Sequence, residues 1–173
     1  MFKQKMSKVA AVLRPWYGLI GEIVFLLLAV FILFVVVFGL KRMPNIAMSP
    51  IVNEGDLVMY SKLGNEYAEN DVVLYEKDGK SALSRIIAKE GQLVDVNNEG
   101  YITVDNVVVS KMPVTDNIEA AAQEMGLPYR VSGGMFYLLN DNYELKDDSR
   151  SFGAVYLKEF KGKVITVLKV RGI

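Results

Sequence analysis

Three stretches of this chain carry polar residues at spacings that could assemble a hydrolytic site. The first is Asn45-Ile46-Ala47-Met48-Ser49-Pro50, just ahead of Gly55-Asp56. The second is Ser84-Arg85-Ile86-Ile87-Ala88-Lys89-Glu90-Gly91, and the third runs from Asn140-Asp141-Asn142 through Lys146 to Asp148-Ser149-Arg150. The chain has no cysteine and no histidine. Thiol nucleophiles, Ser-His-Asp and Cys-His catalysis, disulfides and imidazole ligation of a metal are therefore excluded, and neither metal nor cofactor is expected. What survives is a serine hydroxyl activated by a lysine amine, which must lose its proton by burial near the nucleophile to act as a base.

Taken in order, these stretches resemble the type I signal peptidases, the serine–lysine proteases that trim exported proteins. Met48-x-Pro50 matches the family's Ser-Met-x-Pro nucleophile box, and Gly55-Asp56 the residues just after that box. Asn70-Asp71-Val72-Val73 resembles its Gly-Asp-Ile/Val-Val strand, and Arg85 to Gly91 its Lys-Arg-Val-Ile-Gly-x-Pro-Gly box. Asn140-Asp141-Asn142 with Asp148-Ser149-Arg150-x-x-Gly153 matches the Gly-Asp-Asn…Asp-Ser-Arg-x-x-Gly box, and Gly162-Lys163 the closing Gly-Lys. Five matches in order behind an apolar segment make the pattern specific.

The departures fall on the catalytic positions that the resemblance implies. The nucleophile position holds Ala47, the lysine position Ser84, and the position of the serine that orients the lysine Lys146. A methyl group cannot attack a carbonyl, and a hydroxyl cannot replace the amine as general base. Lys146 could place an amine near the vacated spot or lie in solvent beside Glu144 and Asp147. Ser49 is a nearby hydroxyl, but in an extended segment it would point away from the face of Ala47.

What the resemblance leaves intact is a scaffold. Asp148, Ser149 and Arg150 are expected to form a charge-assisted brace. In family enzymes the substrate lies as an added strand, and here its edges would be Asn45-Ile46-Ala47, with Met48 and Pro50, and Ala82-Leu83-Ser84. Strand addition needs backbone groups and small pockets rather than a nucleophile. The combination resembles the signal-peptidase-like proteins of Gram-positive pilus clusters, which keep the fold, lack the Ser–Lys pair and assist pilin polymerisation by sortase; Val170-Arg171-Gly172-Ile173 also looks like that group. The expected function is binding an extended segment of an exported protein or pilin precursor, with sortase as a further partner. The alternative is an active signal peptidase, either with Ala47 an engineered replacement of serine or with a rearranged Ser49/Lys146 site. A self-cleaving LexA-like protein shares a Ser–Lys core, but an apolar anchor and no DNA-binding half argue against it.

These residues need elements to hold them. Ile23 to Leu40 is an unbroken apolar run of 18 residues, which as a helix at about 1.5 Å per residue covers roughly 27 Å, close to the hydrocarbon thickness of a bilayer. Phe38-Gly39-Leu40-Lys41 lacks a small-x-small cleavage pattern, so the run reads as an uncleaved membrane anchor over 17–40, with Trp16 and Tyr17 at the interface. Lys3, Lys5, Lys8 and Arg14 precede it against Lys41 and Arg42 after it. That bias puts residues 1–16 in the cytoplasm and residues 41–173 outside, as a single-pass protein of the cell membrane. Past Arg42 the chain carries 14 basic and 19 acidic residues, a net charge of −5, which argues against nucleic-acid binding.

Short β segments follow, bounded by Gly, Asn and Asp: Asp56–Tyr60, Asp71–Glu76, Ser81–Ala88, Gln92–Val96, Tyr101–Asp105, Val107–Val109, Met135–Leu139 and Gly162–Leu168. One helix interrupts them, opened by a capping box at Asp116 and Glu119 and stopped by Gly126 and Pro128. The expected fold is a mainly β, signal-peptidase-like antiparallel domain behind one N-terminal transmembrane helix.

Overall fold

The structure is a computed structural model that describes the backbone of residues 2–64, 66–113 and 117–170, and side chains within these from Gly18 onward. It divides into two units, residues 1–38 and residues 39–173.

The first unit is built on helix α1, Phe2–Val37. Its 20-residue segment Gly18–Val37, with a mean hydropathy of 3.1 over its most apolar 18 residues, is the one helix among the described residues long and apolar enough to cross a membrane. Leu26, Leu27, Phe31 and Leu33 are all exposed, as expected of a helix with no polar face to turn outward. The helix stops short of the apolar run: Phe38-Gly39-Leu40 belongs to strand β1, Phe38–Arg42, instead of extending the helix to residue 40. Gly39 is the local cause, since glycine is a poor helix residue and a Cβ here would overlap the Tyr60 ring.

The second unit is a mainly antiparallel β domain. Its strands are β2 (Leu57–Ser61), β3 (Val72–Lys77), β4 (Lys80–Lys89), β5 (Leu93–Val96), β6 (Ile102–Val104) and β7 (Val107–Val108). Helix α2 (Ile118–Glu124) precedes β8 (Tyr129–Arg130) and β9 (Met135–Leu139). The short helix α3 (Ser149–Phe152) leads to β10 (Val155–Tyr156), a 3-10 turn at Leu157–Glu159, and β11 (Phe160–Leu168). The strands form a seven-stranded sheet, β1-β2-β11-β3-β4-β9-β10, and a four-stranded sheet, β7-β6-β5-β8.

Two hairpins set the registers that matter for the site. Asp78 and Gly79 both take positive φ between Lys77 and Lys80, and Asp105 and Asn106 do so between Val104 and Val107. Such two-residue turns match the right-handed twist of the strands they join. Helix α2 is capped by Asn117, whose side chain accepts from the Ala120 amide; the expected cap Asp116 lies outside the described residues, as do residues 171–173.

Three apolar clusters hold the domain. Met43, Met48, Val52, Val58, Leu74 and Leu83 form one, and Val73, Tyr75, Ile86, Leu138 and Val155 a second. The third joins the two sheets through Ile87, Val94, Ile102, Val131, Tyr137 and Leu139. Burial of each such aliphatic or aromatic side chain contributes roughly 1.5–3 kcal/mol. Met48 and Val52 fix the 45–52 segment against β2, β3 and β4, and this packing positions the first motif.

Candidate functional site

The nucleophile position is a methyl group packed into the protein. Ala47 is 2% exposed; its N–H donates to Asn45 Oδ1 at 3.3 Å and its carbonyl accepts from the Asn142 N–H at 2.9 Å. Asn142 Nδ2 also reaches the Ile46 carbonyl. The Asn140–Asn142 turn therefore clamps the 45–47 segment through backbone groups.

This segment is a turn where an extended strand was expected. The Ser49 N–H donates to the Ile46 carbonyl at 3.0 Å and the Val52 N–H to the Met48 carbonyl at 2.8 Å. Alternation along a strand therefore does not set the direction of Ser49, which is half-buried on the turn. Pro50 is exposed, with its carbonyl facing Lys169 Nζ at 3.4 Å. Ala47 itself is no open groove wall, and its methyl leaves little room for a larger side chain.

The lysine position, Ser84 on β4, is fully buried. Its hydroxyl donates to Asn140 Oδ1 at 2.8 Å and lies 3.2 Å from the Tyr75 hydroxyl. Asn140 passes the network on: its Nδ2 donates to Asp147 Oδ1 at 2.8 Å and to the Leu145 carbonyl, and its N–H to Asp148 Oδ2 at 2.9 Å. Burial pushes Tyr75 up to about 12, partly offset by the Ser84 hydrogen bond, so the phenol stays neutral. The buried chain from Tyr75 through Ser84 and Asn140 is thus made of neutral donors and acceptors and ends on carboxylates. It contains no amine that could take a proton from a nucleophile.

Lys146 does not fill that gap. It is exposed and lines a small recess with Ala121, Glu124, Met125, Arg150 and Ser151, beside α2. The exchange of serine and lysine across the site that the sequence suggests is not made: Ser84 pairs with Asn140.

Asp148, Ser149 and Arg150 are all buried. Asp148 caps α3 by accepting from the Arg150 N–H, and the same carboxylate takes Arg150 Nε at 2.9 Å and Nη2 at 2.7 Å. Arg150 also donates to the Tyr143 and Leu145 carbonyls, and Ser149 Oγ accepts from the Leu138 N–H at 2.9 Å. A buried fork-to-fork pair with further bonds on both partners is the arrangement that tolerates desolvation. It holds the 140–148 loop, and with it Asn140 and Asn142, against β9. Asn140 and Tyr75, the partners of Ser84, do not stand out in the sequence; an asparagine opening a matched box is the only signal for the first.

The remaining residues of interest lie on β4. Leu83 is buried in the cluster with Met48, and Ala82 is half-buried. Lys77 and Lys80 close the β3–β4 hairpin as a hydrogen-bonded pair, so Lys80, Ala82 and Ser84 direct their backbone groups to β3, while Ser81 and Leu83 direct theirs the other way. On that other side β9 pairs with β4 only from Arg85 onward. Among the described residues, the backbone of Ser81 and Leu83 thus faces no strand.

The chain is 29% identical over 154 residues, covering 84% of it and 87% of the relative, to a protein named inactive signal peptidase IA from Staphylococcus aureus strain COL. It is 27% identical over 141 residues, covering 72% of it and 40% of the relative, to thylakoidal processing peptidase 1 of Arabidopsis thaliana. A crystal structure of a signal peptidase I from Enterococcus faecalis V583 aligns with a TM-score of 0.46 at 22% identity, covering 58% of this chain and 97% of that one. The model of the family described as signal peptidase, peptidase S26, matches residues 16–169, and the chain belongs to that family.

Proposed function

We propose that this protein is a membrane-anchored, non-cleaving member of the signal peptidase family that holds an extended segment of an exported protein. The observation that carries the reading is the pairing of Ser84 with Asn140: the base position is filled by a hydroxyl already committed as a donor, opposite a nucleophile position that is a buried methyl. The clamp that would position a nucleophile is kept, while both reacting groups are gone. The similar Staphylococcus aureus protein carries the word inactive in its name.

Binding is supported by the free edge of β4. Ser81, half-buried and ahead of the residues that pair with β9, offers its N–H and C=O to an added strand, Leu83 further along is buried, and the exposed Ile46 with half-buried Asn45 supplies the facing wall. The occupant is an extended segment of an exported polypeptide, with a pilin precursor as the case implied by the resemblance and sortase as the enzyme it would serve. Helix α1 is the anchor, and the basic residues before it favour a cytoplasmic N-terminus with the β domain outside.

The test is a binding and cleavage measurement on the detergent-solubilised full chain. A fluorescent peptide ending in an Ala-x-Ala segment is expected to bind and to be recovered intact by mass spectrometry. Ser81→Pro removes one outward N–H at a position where the β3 ladder does not use it, and binding is expected to weaken at least tenfold with the melting temperature held. Unchanged binding by this variant would remove the β4 edge from the account.

A further inference from the structure

A second edge lies on the other sheet, beside a recess of about 490 Å³. Its floor comes from Arg85, Ile87, Leu139, Asp141 and Tyr143, and its wall is Val107–Val109 at β7. Asn140, the partner of Ser84, also lines it, but none of Asn45–Pro50 or Ala82–Ser84 does, and Arg85 points to the opposite face of β4 from Ser84 because neighbouring strand residues alternate.

The backbone of β7 is poised for a partner. Val104 and Val107 flank the Asp105–Asn106 turn as a hydrogen-bonded pair, and the Val109 N–H returns to the Ile102 carbonyl at 2.9 Å. Val108, opposite Thr103, is therefore the non-bonded position, and its N–H and C=O point away from β6. Among the described residues β7 is the end of its sheet. Val107, Val108 and Met112 are exposed, so this edge is both unpaired and apolar, a combination that invites strand pairing unless a partner covers it.

The charges indicate which partner. Arg85 gives Nε to Asp141 Oδ1 at 2.8 Å and its Nη2 to the other oxygen, while Nη1 goes to the Asn70 carbonyl. The guanidinium is consumed and is not an anion receptor. Lys111 and Glu69 add one exposed charge of each sign. The lining is thus balanced, two cations against two anions, and favours neither a phosphate nor a polycation.

We propose that β7 and this recess form a second peptide-binding site, which takes an uncharged extended peptide with branched apolar side chains as an added strand on Val108. The volume falls in the range of ligand-binding recesses, about 300–1,000 Å³. The added strand sets its side chains beside the exposed Val107 and Val108, and its backbone exchanges two hydrogen bonds with Val108. The site's strand-pairing edge, Val108, lies on the other sheet from Ser81.

The experiment uses the detergent-solubilised full chain and a fluorescent, end-blocked pentapeptide of alternating valine and threonine, read by anisotropy. Val108→Pro removes the outward N–H without touching the ladder to β6; a loss of affinity of at least tenfold is expected at an unchanged melting temperature, whereas Ser81→Pro leaves binding intact. The same peptide N-methylated at its central valine is expected to lose binding to the unaltered protein, and that loss together with retained binding by Ser81→Pro assigns the added strand to β7 even if Val108→Pro fails to fold. Equal binding of the methylated and plain peptides, no binding of either, or loss with Ser81→Pro but not with Val108→Pro would overturn the site. The last of these outcomes would leave the β4 edge as the peptide-binding surface.

Discussion

The Ser84 hydroxyl donates to Asn140 Oδ1 at 2.8 Å in the protein interior. That bond occupies the place where the family's chemistry needs a deprotonated amine, and it ties β4 to the loop whose Asn142 holds Ala47. Ser84→Ala leaves the Asn140 oxygen without its donor in a buried site. A loss of about 1–3 kcal/mol is expected in denaturant unfolding, with no change in a cleavage assay.

Arg150→Ala is expected to cost more. Asp148 is fully buried, and its carboxylate takes two guanidinium bonds. Removing the arginine strands a buried charge, and breaking such pairs costs about 3–5 kcal/mol. Urea unfolding would measure it; a loss under about 1 kcal/mol, the value of an exposed pair, would show that the brace does not carry the loop.

Gly162 tests the seam between β11 and β2. At its φ of +156° a Cβ would overlap the Ser61 carbonyl oxygen and sit 2.8 Å from a Tyr60 ring carbon. The neighbour is backbone and cannot swing away. Gly162→Ala is expected to lower the melting temperature by several degrees, whereas Gly64→Ala, with open space around it, is expected to cost less.

Alkaline pH should unfold the protein through its buried phenols. Burial raises Tyr75 from 10.0 to about 12 and raises Tyr137 further. The folded state therefore favours the neutral phenol. Its contribution is fully present below the unfolded value of 10.0 and is lost as pH rises from there through about 12. Tyrosinate absorbance is expected to rise in two phases, the second coinciding with loss of the β circular dichroism signal.

Most of the strands were legible because turn residues bracket them. Asp78-Gly79 and Asp105-Asn106 mark hairpins with two-residue loops, and Met135–Leu139 matches its expected bounds. The short strands at Phe38, Tyr129 and Val155 were not, because so few residues carry no period and pairing alone makes them strands. The same holds at the site. The missing serine and lysine could be read directly at Ala47 and Ser84, since residue type decides them. The turn at 46–52 and the Asn140 bond could not, because they depend on packing of Met48 and Val52 and on a loop 56 positions away.

The central claim is that the chain binds without cutting, and proteolysis measures it most directly. Full-length protein in detergent, incubated with a signal-peptide substrate bearing a small-x-small site, is expected to give no product by mass spectrometry. Ala47→Ser is expected to give none either, because Ser84 offers no base. Time-dependent cleavage at that site by the unaltered protein, abolished by Ser49→Ala or Lys146→Ala, would contradict the account and establish a rearranged catalytic pair.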